Sequence, residues 1–164
     1  LTPLTQRIFC CRSGSASDTQ AMADIVKYQL DFHRLEMGCE PTVIEAATIF
    51  RHFCYNYRDS LLAGIFVAGW DEVEGGQVSG MLTRQPAVTG GSGSTYIYGY
   101  FDRYFRPSMK KDEAIEFVKN CVTLAIHRDQ SSGGCIRLAS ISKDGVERQL
   151  IKGDSLPPVQ SLNF

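Results

Sequence analysis

Arg7-Ile8-Phe9-Cys10-Cys11-Arg12-Ser13-Gly14-Ser15-Ala16 is an apolar run that ends in a turn of small residues. Arg7 to Cys11 predicts a short strand and Ser13-Gly14-Ser15 a tight turn. Beyond them Met22, Ile25, Val26 and Leu30 recur at roughly helical spacing and predict a helix. Adjacent Cys10 and Cys11 would then point to opposite faces of the strand. Arg12 stands where that strand runs out. Strand ends often line clefts, where a guanidinium would receive a carboxylate. A solvated arginine at a sheet margin is the other reading, and residue physics by itself favours it.

Working outward, Thr42 and Glu45 form a capping box after Pro41. Val43, Ala46, Ala47, Phe50, Phe53, Cys54 and Tyr57 follow on one stripe, which predicts a second helix. Leu61 to Gly69 is short, continuously apolar and bounded by polar residues, as in a strand covered on both faces. Gln77 to Thr89 holds further strands around turns. After Gly90-Gly91-Ser92-Gly93-Ser94, the aromatic stretch Thr95 to Phe105 is expected to be helical. Lys110 to Arg128 is a further helix, with Ala114, Phe117, Val118, Cys121, Leu124 and Ala125 on one face. Cys135 to Ser142 and Val146 to Lys152 form a hairpin around Asp144-Gly145, and the tail from Leu156 is extended. Strands and helices come in groups, which favours helices layered on stacked sheets over an alternating parallel sheet.

Composition narrows the function. The 164 residues suit a single domain, 1–164, and 17 Lys plus Arg against 18 Asp plus Glu give no broad field to hold a polyanion or an anionic membrane. No nucleic acid and no membrane are therefore expected as partners. The longest apolar run is about half a membrane span. The six cysteines form no Cys-x-x-Cys pair, so a zinc site is not expected; reduced cysteines on apolar faces fit the cytoplasm or nucleus.

Several motifs fail in detail. Gly90 to Ser94 lacks both the dinucleotide fingerprint and the P-loop spacing, so a tight turn is the better reading. Ser92, His127 and Asp129 could suggest a serine hydrolase, but Gly-x-Ser-x-Gly would need glycine where Ser94 stands. His127 near a helix end meets the dipole favourably without catalytic duty, and His33 and His52 have no partner at metal-ligand spacing.

Four segments together resemble the β-subunits of the proteasome core particle, closest to the caspase-like type. They are Arg7 to Ala16; Ala68-Gly69-Trp70-Asp71 with Glu74 to Val78; Gly90 to Ser94 with Tyr96 to Tyr100; and Arg128-Asp129 with Ser131 to Gly134. The resemblance implies an α/β N-terminal-nucleophile hydrolase sandwich, two antiparallel sheets between layers of helices (αββα). Its partners would be other α- and β-subunits in stacked seven-membered rings, polypeptide substrates and, indirectly, regulatory particles. The family's nucleophile is an N-terminal threonine, activated by its own amine with a lysine and an aspartate. Leu1 aligns directly after that lysine, so all three are expected upstream and the chain as given, N-terminally incomplete, is expected to be inactive by itself.

By the same match, the Gly14 amide supplies the oxyanion hole and Ala16 pairs with the substrate backbone. Ser92, Asp129 and Ser132 hydrogen-bond around the threonine, and Arg12 faces the residue before the scissile bond and favours an acidic one. The interferon-induced type carries an apolar residue at the Arg12 position, so Arg12 argues for the constitutive type. No cofactor or metal is required, although some members bind a cation through carbonyls matching Ile126, Asp129 and Ser132. Two departures stand out: the family has several more residues between Gln77-Val78 and Gly80-Met81-Leu82, and Gln130 replaces a usual glycine. The expected function is threonine-type cleavage after acidic residues during intracellular protein degradation. The alternative is a non-catalytic ring subunit.

Overall fold

The computed structural model describes residues 1–80 and 83–156; Met81, Leu82 and the expected extended tail beyond Leu156 lie outside them. Two compact units are present: Leu1–Gly91 with Ile141–Val146, and Ser92–Ser140 with the residues from Glu147 onward.

In the first unit, β1 (Thr2–Pro3) pairs with β2 (Ile8–Gly14), β2 with β3 (Ala63–Asp71), β3 with β4 (Gly75–Gly80) and β4 with β5 (Thr83–Arg84), all antiparallel. The chain leaves β2 for two helices, α1 (Ala16–Met37) and α2 (Val43–Asn56), before returning as β3. Ser15 caps α1, and its Oγ accepts from the Asp18 amide at 3.4 Å. The capping box expected of Thr42 and Glu45 is formed in both directions.

The core of this unit lies between the helices and one face of the sheet. Ile8, Cys10 and Val67 from the strands meet Met22, Val26, Leu30, Val43, Ala46 and Phe50 from the helices. Alternation along β2 gives Cys10 to this core, where burial pushes its thiol up to about 11, and leaves Cys11 half-buried. Two sequence expectations need correction. Side chains of β3 alternate between buried and half-buried, so this strand is not covered equally on both faces; Phe66 and Ala68 are apolar residues of the less buried side. Tyr57 is 55% exposed at the C-cap of α2 and stacks on Phe53, because the helix stripe has turned outward by its last residue.

The second unit holds a 3₁₀ turn (Ser92–Tyr96), α3 (Tyr98–Tyr104) and α4 (Lys111–Arg128), together with most of the paired strands β6 (Cys135–Ser142) and β7 (Gly145–Lys152), whose connecting end, Ile141–Val146, is counted with the first unit. Ile97, Phe117, Cys121 and Leu124 form its core, with Tyr100, Phe101, Tyr104 and Phe105 packed against them. Val118, expected on the inner face of α4, is 45% exposed, while Thr123 is fully buried. The buried stripe runs through 117, 121 and 124, and 118 falls at its edge. These helices and two antiparallel sheets are the element content of the N-terminal-nucleophile hydrolase fold expected from the sequence.

Asp71 ties the first unit together. It is 6% exposed; Oδ2 accepts from the Val43 amide at 2.9 Å and Gln77 Nε2 at 2.8 Å, and Oδ1 from the amides of Val73 at 3.1 Å and Glu74 at 2.8 Å. One carboxylate therefore closes the β3–β4 turn and pins the start of α2, where the helix dipole favours negative charge. Asp71→Ala strands several of these donors at about 1–3 kcal/mol each where water cannot reach them. We expect a loss of roughly 2–4 kcal/mol in chemical denaturation, and a loss below about 0.5 kcal/mol would show that the contacts are incidental.

Candidate functional site

Arg12 lies near the end of β2, half-buried, and its guanidinium is held from three directions. Nε donates to Thr2 Oγ1, Nη1 to Thr19 Oγ1 and Nη2 to Gln20 Oε1, each at 2.9 Å. The acceptors come from β1 and the first turns of α1, so the strand end and the helix start share one polar cluster. Among the described residues no carboxylate pairs with Arg12. It is therefore not the freely solvated arginine that residue physics alone favours.

Gly14, two residues on, ends β2 with φ +99°. A Cβ there would stand 2.3 Å from the Leu62 carbonyl oxygen, which accepts the next amide, Ser15 N–H, at 2.8 Å. Only glycine permits both the positive φ and this approach. Ala16 follows as the first residue of α1 and is exposed, as is Gly14. The two thus sit at a strand-to-helix turn whose helix presents the positive end of its dipole.

In the second unit Asp129 caps the C-terminus of α4 and is 7% exposed. A carboxylate there meets the negative end of the helix dipole, so its ionised form needs local donors. Ser92 Oγ donates to Oδ2 at 2.7 Å and Ser132 Oγ at 2.5 Å, while the Ser131 amide donates to Oδ1 at 3.2 Å. The Ser132 amide also donates to the Asp129 carbonyl at 3.1 Å. The serine hydroxyls, Ser132 first and then Ser92, hold the carboxyl below its ordinary value of 3.8, outweighing burial. Gly93 makes the closeness feasible: a Cβ on it would meet Ala125 Cβ at 3.0 Å, Ser132 Oγ at 3.2 Å and Asp129 Oδ2 at 3.3 Å.

The structure thus gathers Ser92, Asp129 and Ser132 into one cluster, and gives Arg12, Gly14 and Ala16 neighbouring places on the β2–α1 turn. Sequence reasoning missed Thr2, Thr19 and Gln20 around Arg12, and Gly93 and the Ser131 amide beside Asp129. Thr19 carried a signal, four residues after the N-cap Ser15 and so one turn into α1. Ser92 bonds Asp129 directly, with no imidazole between them. His33 lies 3.5 Å from Glu45, and His52 shares a 2.8 Å hydrogen bond with Asn56. Among the described residues no group of three or more His, Cys, Asp or Glu could hold a metal ion.

The lowered Asp129 carboxyl has a consequence for stability. A group depressed in the folded state contributes fully above its unfolded value of 3.8 and loses that contribution as pH falls through the folded one. The stability gap between the protein and Asp129→Asn should therefore be constant from neutral pH to about 5 and narrow in more acid solution. Denaturation midpoints across that range measure it, and a gap that widens in acid would refute the assignment.

Residues 1–141 match the proteasome family, described as proteasome subunit. The chain is 54% identical over 162 residues to "Proteasome subunit beta type-6" of Dictyostelium discoideum, covering 96% of this chain and 76% of that protein. It is 53% identical over 161 residues to "Proteasome subunit beta type-9" of Rattus norvegicus, covering 96% and 74%. To "Probable proteasome subunit beta type-1" of Schizosaccharomyces pombe it is 49% identical over 164 residues, covering 97% and 73%. With the antiparallel sheets, the strand-to-helix glycine and the serine-bound aspartate already in place, the chain belongs to the proteasome subunit family, as one of the β-type subunits of the core particle that degrades proteins.

Proposed function

We propose that this subunit is a threonine-type endopeptidase of the core particle that prefers to cleave after acidic residues, the constitutive caspase-like type. The observation that carries the preference is the Arg12 guanidinium, oriented by three neutral oxygens at 2.9 Å with no carboxylate partner among the described residues. A fixed, uncompensated guanidinium is the complement of a substrate carboxylate. In this reading the Gly14 amide stabilises the oxyanion, helped by the positive end of α1, and Ala16 pairs with the substrate backbone. Ser92, Asp129 and Ser132 orient the hydroxyl and amine of the nucleophilic threonine.

In the assembled particle, Arg12→Leu is expected to lower kcat/KM after acidic residues and raise it after apolar ones. Removing one partner of a desolvated charge pair costs about 2–5 kcal/mol. Unchanged selectivity would sink the acidic preference. Asp129→Ala should leave peptide affinity nearly intact while lowering kcat by about 10²-fold, as misplaced catalytic groups do. Absence of any threonine-type turnover from the native subunit in the assembled particle would favour the non-catalytic ring subunit instead.

A further inference from the structure

The acceptors around Arg12 are neutral, and each is itself held in place. Thr19 is 2% exposed, and its hydroxyl gives its proton to the Ser15 carbonyl at 2.9 Å, which leaves a lone pair for Arg12 Nη1. Gln20 Nε2 donates to Asp24 Oδ1 at 2.9 Å, so the carbonyl end of that amide faces Arg12 Nη2. Thr2, opposite Cys10 in the sheet register, takes Nε. The Asp24 carboxylate thus bonds the amide of Gln20, which in turn meets the guanidinium. Had Gln20 been glutamate, the guanidinium would be paired before any ligand arrived.

We infer that Thr19 and Gln20 are specificity-determining positioning residues: they aim the Arg12 guanidinium without neutralising it, so that its charge is reserved for a carboxylate on the substrate side chain. The inference rests on the proposed acidic preference and deepens it. Orientation is achieved on folding, so binding does not have to immobilise a flexible arginine. Among the described residues two donors stay uncommitted, because a guanidinium has five N–H groups and these bonds use one on each nitrogen.

The test uses the assembled particle and two peptides that differ only in an acidic or apolar residue before the scissile bond. The quantity read is the ratio of their kcat/KM values. Arg12→Leu is the reference and should lower the ratio about 100-fold, the arithmetic of losing a buried charged partner. Gln20→Glu, an isosteric change at an exposed residue, should lower it about tenfold or more, chiefly through a lower kcat/KM for the acidic peptide. Thr19→Val should act in the same direction, and Thr19→Ser, which keeps the hydroxyl, should restore the wild-type ratio. A ratio within twofold of wild type in Gln20→Glu or in Thr19→Val overturns the inference for that residue, provided that Arg12→Leu has lowered it. If Arg12→Leu leaves the ratio unchanged, the acidic preference itself has failed and the inference falls with it. Should Thr19→Val not assemble, Gln20→Glu decides alone.

Discussion

Each unit is organised around a buried carboxylate that is satisfied by neutral donors. In the first, Asp71 gathers amides from the start of α2 and from the β3–β4 turn, so a helix and a hairpin far apart in sequence share one anchor. In the second, Asp129 gathers the hydroxyls of Ser92 and Ser132, which otherwise belong to a glycine-rich turn and a polar loop. A carboxylate out of water is tolerable only when its oxygens are filled, so each aspartate fixes its neighbours as firmly as they fix it. The packing of Val43 against the sheet and the approach of Gly93 to α4 both follow from these fixed points.

A second constraint is steric. At Gly14 the chain must leave β2 with positive φ while passing 2.3 Å, as a Cβ would measure it, from the Leu62 oxygen. That oxygen is occupied by the Ser15 amide, and Ser15 caps α1. One glycine therefore couples the end of β2, the start of α1 and the orientation of the neighbouring peptide group. The fold and the proposed oxyanion donor depend on the same dihedral angle.

Much of this was legible in the sequence because it is local. The Thr42–Glu45 capping box, the strand-to-helix order on either side of Ser15 and the stripe through Phe117, Cys121 and Leu124 depend on residues a few positions apart; the strand itself runs past the expected turn, pairing Ser13 and Gly14 with β3. What escaped was mostly non-local or too short to leave a pattern. β1 has two residues, and nothing in Thr2-Pro3 marks it as a strand until Phe9 and Cys10 pair with it. The burial of β3 was overestimated because Phe66 and Ala68 are apolar whether or not their side of the sheet is covered. The apolar run before it showed that Arg12 stands at a strand end, but the network around it needs Thr2 and Gln20, on separate elements, to meet. Ser92 and Asp129 lie 37 residues apart, and the motif match rather than periodicity joined them.

The charged groups differ in how completely they are used, and this separates structural from functional charge. A carboxylate offers about four lone-pair positions. The four bonds to Asp71 fill them, two on each oxygen, which leaves nothing for a ligand. Asp129 receives three, two on Oδ2 and one on Oδ1, among the described residues, and it does so against the helix dipole. Arg12 spends three of its five donors and has no counter-charge among those residues. Complete use of a group's hydrogen-bonding capacity makes it part of the scaffold. Incomplete use, in a group already rigidly held, leaves directed capacity that folding has oriented toward a ligand.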